Sequence, residues 1–144
     1  MRRAATGYAG AMRPDAHFGS VSGIERGRWF EPRPKNVRAA RDFVADELRD
    51  QGFAGDSDVV LLLASELVTN AVRHAATPFE IAVDVDDGEV RVEVTDGDVE
   101  HSPEMRHPSP DDTNGRGLLL VDQLAAVWGS NRVGGSKSVW FTLA

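Results

Sequence analysis

Residues 79–96 read FEIAVDVDDGEVRVEVTD, and the fold of the chain is best inferred outward from this stretch. Apolar and polar side chains alternate on both sides of Asp87-Gly88. Such alternation is typical of strands with one buried face, and an Asp-Gly pair between two of them is typical of a tight turn. The stretch therefore predicts a β-hairpin that buries one face.

A deeply packed helix is predicted before the hairpin, because residues 59–72 read VVLLLASELVTNAV and carry apolar side chains on nearly every side. Asp56 or Ser57 can cap its start, and we expect it to end at about His74.

Three further segments precede this helix. Apolar residues at helical spacing predict a first helix from just after Pro34 to about Gly52. Residues 24–31 favour a strand. Residues 1–22 are rich in Gly, Ala, Ser and polar residues and show no periodicity, which predicts a mobile N-terminal tail in front of a domain spanning residues 23–144.

The C-terminal third begins with a long polar loop over residues 97–114. A third helix is predicted from Leu118 to about Trp128, followed by a turn at Gly134-Gly135 and a closing strand over residues 139–143. The order β-α-α-β-β-loop-α-β-β predicts a two-layer α/β sandwich, with helices on one face of a mixed sheet.

Composition excludes several classes of protein. The 144 residues contain no cysteine, which rules out disulfides, thiolate metal sites and thiol nucleophiles. No apolar run approaches the roughly 18 residues of a membrane span. The absence of cysteine and of a membrane-length apolar run predicts a soluble, cytoplasmic protein without a membrane partner.

The charge of the chain is unevenly distributed. Residues 1–41 carry nine basic and three acidic residues, a net charge of +6. Residues 42–144 carry seven basic and twenty acidic residues, a net charge of −13. Because nucleic-acid binding needs a basic face, the acidic body predicts no direct nucleic-acid partner.

Glu66 and Asn70 lie in the middle of the predicted second helix, four residues apart and therefore on one face. Burying a carboxylate is costly, so this pair needs an explanation. One explanation is structural: Glu66 pairs with Arg73 or Asn70 along a partly exposed stripe. The other is functional: a carboxylate able to take a proton and an amide oxygen able to bind a hard cation face a cleft together.

Asp96 ends the hairpin and is followed by Gly97. A carboxylate there can accept a hydrogen bond from an exocyclic amine such as that of adenine, although an Asp-Gly turn that merely ends the strand is the structural alternative. Gly115 and Gly117 precede the third helix. Glycines there let backbone N–H groups approach an anion, and a flexible helix entry is again the alternative.

The order of these features resembles that of the GHKL ATP-binding superfamily. Residues 65–75, SELVTNAVRHA, look like the N-box of the anti-sigma factor serine kinases, and residues 95–98, TDGD, stand where their G1 box falls. Residues 115–121, GRGLLLV, resemble the G2 box, and residues 138–141, SVWF, resemble the closing strand. The similarity covers about residues 24–144, and the N-box is its most specific part.

The resemblance implies a Bergerat-type α+β sandwich, with a mostly antiparallel sheet, three helices on one face, and ATP and Mg²⁺ bound beneath a lid formed by the loop after Asp96. Glu66 would be the general base or orient the attacking group, and Asn70 would ligate Mg²⁺. Asp96 would bind the adenine amine. The other implied nucleotide-binding residues are Gly97, Gly115, Arg116, Gly117, Leu118 and Ser138.

In this family the phosphate goes to a serine on a small anti-anti-sigma protein, and the kinase also holds a sigma factor. The resemblance thus implies an anti-sigma-factor-type serine/threonine protein kinase that regulates transcription through such a partner, with assembly as a homodimer left open. The sequence departs from the G1 box at Asp98, where the family usually has glycine. The alternatives are an ATP-binding switch with little or no phosphotransfer, and an adaptor domain that binds no nucleotide.

Overall fold

The computed structural model describes residues 3–5, 27–74, 77–97 and 117–144, and the order of its elements is β-β-α-α-β-β-α-β-β. The strands in this described part are β1 (Arg3–Ala5), β2 (Arg28–Phe30), β3 (Phe79–Asp86), β4 (Glu89–Asp96), β5 (Val127–Val133) and β6 (Ser136–Leu143). The helices are α1 (Lys35–Asp50), α2 (Ser57–His74) and α3 (Gly117–Leu124).

The predicted hairpin is confirmed as β3 and β4, which pair antiparallel along their whole length. Its turn consists of Asp87 and Gly88, whose φ angles are 55° and 82°. Two successive residues with positive φ are typical of a type I′ turn, whose twist matches that of the strands. Gly88 adopts this conformation without a steric penalty, because it has no Cβ.

β4 lies inside the sheet, whose strand order is β1-β5-β6-β4-β3-β2. β1 and β5 are parallel, and the other neighbouring strands are antiparallel. α1 packs on β3, α2 packs on β4 and β6, and α3 packs on α2 and β5. The three helices and one face of the sheet share a single apolar core. The predicted two-layer α+β sandwich, with a mixed, mostly antiparallel sheet and helices on one face, is confirmed.

α2 begins where the sequence predicted, since the Oδ1 atom of Asp56 accepts the backbone N–H of Val59 at 3.2 Å. Its buried residues recur at helical spacing and form one side of the helix. They are Val60, Leu63, Ala64, Leu67, Val68 and Ala71. The other side is less deeply packed than expected, and Leu62 is exposed there. No helix in the described segments is long and apolar enough to span a membrane.

The predicted end of the third helix is wrong: α3 ends at Leu124, and Trp128 belongs to β5. The backbone N–H of Ala126 donates to the oxygen of Thr142 at 2.8 Å, which directs the chain into pairing with β6. Trp128 is only 1% exposed, and its indole N–H donates to Asp122 at 3.0 Å. Burying this large ring from a position in β5 is more favourable than extending α3 to Trp128.

The predicted N-terminal tail contains β1, whose Arg3–Ala5 backbone pairs with the start of β5. The rest of that segment lies outside the described residues, as does the predicted lid loop beyond Gly97. The mobile tail, the domain boundary at residue 23 and the lid therefore stay predictions.

The side chain of Gln51, just after α1, pairs with the edge of β3. Its Nε2 donates to the backbone oxygen of Val83 and its Oε1 accepts the N–H of Val85, each at 2.9 Å. Nε2 also donates to Glu47 at 2.8 Å. Because β2 pairs only with residues 79–81, this amide satisfies backbone groups that a longer edge strand would otherwise have to satisfy.

We expect Gln51→Ala to lower the free energy of unfolding by about 1–3 kcal/mol, because it removes both hydrogen bonds to the β3 backbone. Urea denaturation measures this change. The matched control is Gln123→Ala, since Gln123 is exposed on α3; its effect should stay within about 0.5 kcal/mol. Equal effects of the two variants would contradict the edge-pairing role of Gln51.

Candidate functional site

Glu66 and Asn70 lie at the margin of the buried side of α2, where both are partly exposed. Their neighbours Leu67 and Ala71 are buried. Along the described parts of the chain, Glu66 forms neither an ion pair with Arg73 nor a hydrogen bond with Asn70. The structural explanation of the Glu66–Asn70 pair therefore has no contact to support it.

Burial raises the pKa of Glu66 above the ordinary value of a glutamate. The physical cause is desolvation, which disfavours the charged form of the carboxyl group. A carboxylate with a raised pKa accepts a proton more readily, which suits a general base. This agrees with the functional explanation and leaves the catalytic role of Glu66 a prediction.

Ser65, next to Glu66, has a buried hydroxyl with no hydrogen-bond partner within the described segments. Buried polar atoms are rarely left unpaired in folded proteins. Helical geometry places Ser65 about 100° from Glu66 around α2, on the other margin of the buried side, so its hydroxyl is not grouped with the Glu66–Asn70 pair. In the sequence, Ser65 stood out only as the first residue of the N-box.

Asp96 ends β4 and is only 4% exposed. Alternation along β4 places it in the same row as Val94, on the face that the helices cover. Lys137 lies directly opposite on β6, and its Nζ is 3.8 Å from Oδ2 of Asp96. The ammonium and the carboxylate form a buried ion pair at the end of the two strands.

Sequence reasoning missed Lys137, although a signal was available. Lys137 shares a row of β6 with Val139 and Phe141, both buried, so strand alternation places a lysine where an apolar residue is expected. Only the β4–β6 register shows that Asp96 supplies the opposite charge.

Ser138 does not lie beside Asp96. It follows Lys137 on β6, so its side chain points to the opposite face of the sheet. There its Oγ lies 2.8 Å from Oγ1 of Thr95. The structure therefore groups Lys137, and not Ser138, with the carboxylate that was predicted to bind adenine.

The predicted phosphate-binding residues are described only in part. Gly115 and Arg116 lie outside the described residues. Gly117 and Leu118 are the first two residues of α3, which packs against α2, and only their backbone is described. Their contacts with phosphate stay a prediction.

Asn70 and Asp96 lie at the same end of the sandwich. α2 ends shortly before β3, whose first residue, Phe79, is the register partner of Asp96. Thr77 lies between these elements, and its Oγ1 accepts the backbone N–H of Gly97 at 2.9 Å. Asn70 is about one helical turn from the end of α2, so it and Asp96 both lie towards this end of the sandwich.

Comparison with known proteins identifies the family of the chain. The model of the family described as the histidine kinase-like ATPase domain matches residues 30–143. No curated protein matches the sequence. Among solved structures, Acinetobacter baumannii histidine kinase AdeS is similar with a TM-score of 0.47 and 16% sequence identity, over 82% of this chain and 66% of that chain. The chain thus spans slightly less than two thirds of that structure. Because the family match extends from β2 through β6, the chain belongs to the histidine kinase-like ATPase domain family, within the GHKL superfamily.

Proposed function

We propose that the chain binds ATP with Mg²⁺ and transfers the terminal phosphate to a serine or threonine of a protein partner, as an anti-sigma-factor-type kinase. Domains of this family bind ATP, usually with Mg²⁺. The observation that carries the proposal beyond nucleotide binding is Glu66, a carboxylate with a raised pKa and no partner among the described residues, one turn from Asn70.

Asp96 suits recognition of the adenine ring. Its carboxylate lies at the end of a buried strand and is nearly inaccessible to bulk water. An ionised carboxylate is purely a hydrogen-bond acceptor, so it complements the exocyclic amine of adenine. A hydrogen bond to a charged group in a water-poor site is also stronger than one between neutral groups.

Asn70 suits a magnesium ligand, because Mg²⁺ prefers oxygen donors and keeps several of its waters. Asn70 lies on the same side of α2 as Glu66, four residues further along the helix. Its amide oxygen fits a Mg²⁺-bound triphosphate. When bound, the ion neutralises charge on the phosphate oxygens.

Glu66 would act as the base in an in-line transfer. Its carboxylate takes the proton from the hydroxyl group of the partner, and the hydroxyl oxygen forms a bond to the terminal phosphorus. The bond from that phosphorus to the bridging oxygen breaks at the same time, and ADP leaves with the bond's electron pair. The products are a phosphoserine or phosphothreonine, ADP, and a proton on Glu66.

The regulatory part of the proposal rests on the N-box resemblance of residues 65–75. On that basis the phosphoacceptor is a serine of an anti-anti-sigma-type protein, and a sigma factor is the second partner. Regulation of transcription would then follow from which of these proteins the domain holds.

A second candidate function is an ATP-binding switch that transfers little or no phosphate. The observation that favours it is Asp98, which puts a negative charge where the G1 box usually has glycine. A carboxylate near the nucleotide repels its phosphates and weakens binding.

We expect Asp96→Asn to weaken ATP binding about 10- to 100-fold, because it removes a charge-assisted hydrogen bond to the base. Asn70→Ala should weaken binding of Mg²⁺–ATP and leave binding of metal-free ATP unchanged. Isothermal titration calorimetry with both forms of ATP measures these effects. Asp42→Ala, on the exposed side of α1, is the control. Equal ATP affinities of the wild type and Asp96→Asn would contradict the adenine assignment.

Glu66→Gln should reduce phosphate transfer by on the order of 10²–10⁴-fold, because the amide keeps the shape of the side chain and cannot take a proton. ATP affinity should be retained. The measurement is transfer of radiolabelled phosphate from ATP to serine-bearing candidate partners. Transfer that survives the substitution would exclude Glu66 as the base, and a wild type that binds ATP without labelling any partner would favour the switch.

The raised pKa of Glu66 makes a further prediction about stability. Ionisation of this carboxyl is less favourable in the folded state, so it destabilises the fold as pH rises above the ordinary glutamate pKa. Glu66→Gln should therefore raise the melting temperature at about pH 7.5, and this gain should shrink towards about pH 3, where Glu66 is protonated in both states.

The matched control is Glu31→Gln, because Glu31 is exposed before α1. Its effect on the melting temperature should be small at both pH values. A gain for Glu66→Gln that is the same at both pH values would show that desolvation of the charge is not its cause.

A further inference from the structure

Lys137 differs from the only other lysine of the chain in its surroundings. Lys35 begins α1 and is exposed, whereas Lys137 is only 6% exposed. The Lys137 side chain lies on the helix-covered face of β6, in the row that contains Val139 and Phe141. Lysine is rarely buried without an opposite charge, and here that charge is the carboxylate of Asp96.

The geometry of this ion pair bears on what Asp96 can do. The distance of 3.8 Å between Nζ and Oδ2 is within ion-pair range and longer than a hydrogen bond. Lys137 therefore acts on Asp96 mainly through its charge. A nearby ammonium favours the ionised carboxylate over the protonated one, and an ionised carboxylate can only accept hydrogen bonds.

We propose that Lys137 is a positioning residue that sets the base specificity of the nucleotide site, by holding Asp96 as an ionised acceptor. The inference rests on the proposed function, because it takes Asp96 to be the residue that contacts the base. It assigns the preference for adenine to the ion pair between β4 and β6, and not to Asp96 alone.

The chemistry of the purines explains why the charge on Asp96 determines which base is preferred. Adenine carries an amine at C6, which donates a hydrogen bond to an ionised carboxylate. Hypoxanthine and guanine carry a carbonyl oxygen there, and two acceptors facing each other repel. A protonated carboxyl group or an amide can donate to that oxygen, so losing the charge on Asp96 removes the discrimination.

Inosine triphosphate is the probe for this proposal, because it exchanges the amine of ATP for a carbonyl oxygen and keeps the ribose and triphosphate. Affinities for ATP and inosine triphosphate, both with Mg²⁺, are measured by calorimetry. We expect the wild type to bind ATP about 10- to 100-fold more tightly. Lys137→Met should lower this ratio by at least about tenfold, whereas Lys137→Arg, which keeps the positive charge, should restore it.

Lys35→Met is the matched control, and its ratio should equal that of the wild type. Thermal denaturation shows whether each variant is folded. Where Lys137→Met does not fold, the double variant Lys137→Met/Asp96→Asn removes both charges of the pair together. It is compared with Asp96→Asn alone, and the proposal requires the same low ratio in both, since Lys137 acts through the charge of Asp96.

The outcomes separate this inference from the proposed function. A folded Lys137→Met variant that keeps the wild-type ratio overturns the role of Lys137, while tight ATP binding by the wild type still supports the function. A further fall in the ratio when Lys137→Met is added to Asp96→Asn also overturns it, because Lys137 would then act directly. A wild type that binds neither nucleotide overturns the proposed function itself.

Discussion

The pairing of β4 with β3 on one side and with β6 on the other is the constraint on which the rest of the structure depends. This register buries Val90, Val92 and Val94 beneath the helices, and each buried valine contributes about 1.5–3 kcal/mol. A slip by one residue would place Arg91 and Glu93 in the core instead. The strand is therefore held in one register by the free energy of its apolar row.

The same register positions the predicted base-binding carboxylate. Asp96 follows Val94 in the same row of β4, so strand alternation buries it on the helix-covered face. A carboxylate in that position requires an opposite charge, and the residue that the register places across from it is Lys137. Ser138 is one residue further along β6 and falls on the other face. Strand register thus decides which side chains can act together at this end of the sandwich.

α2 carries the second half of the candidate site because it packs on β4 and β6. Its buried side is almost wholly apolar, and Glu66 sits at the margin, where burial raises the pKa of its carboxyl group. An uncharged residue there would avoid that desolvation cost. The proposed catalytic role of Glu66 rests on this partly buried carboxylate, which has no partner among the described residues.

The sequence by itself determined the elements whose signals are local: the hairpin with Asp87-Gly88 at its turn and the capped helix α2. It also placed Glu66 and Asn70 on one face, because helical spacing requires it. Only the tertiary structure decided that Trp128 belongs to a strand and that Lys137 neutralises Asp96. Both depend on pairing with strands that lie far away in the sequence. Burial and ion pairing between distant strands leave no periodic signal of their own, so they emerge only when the sheet is assembled.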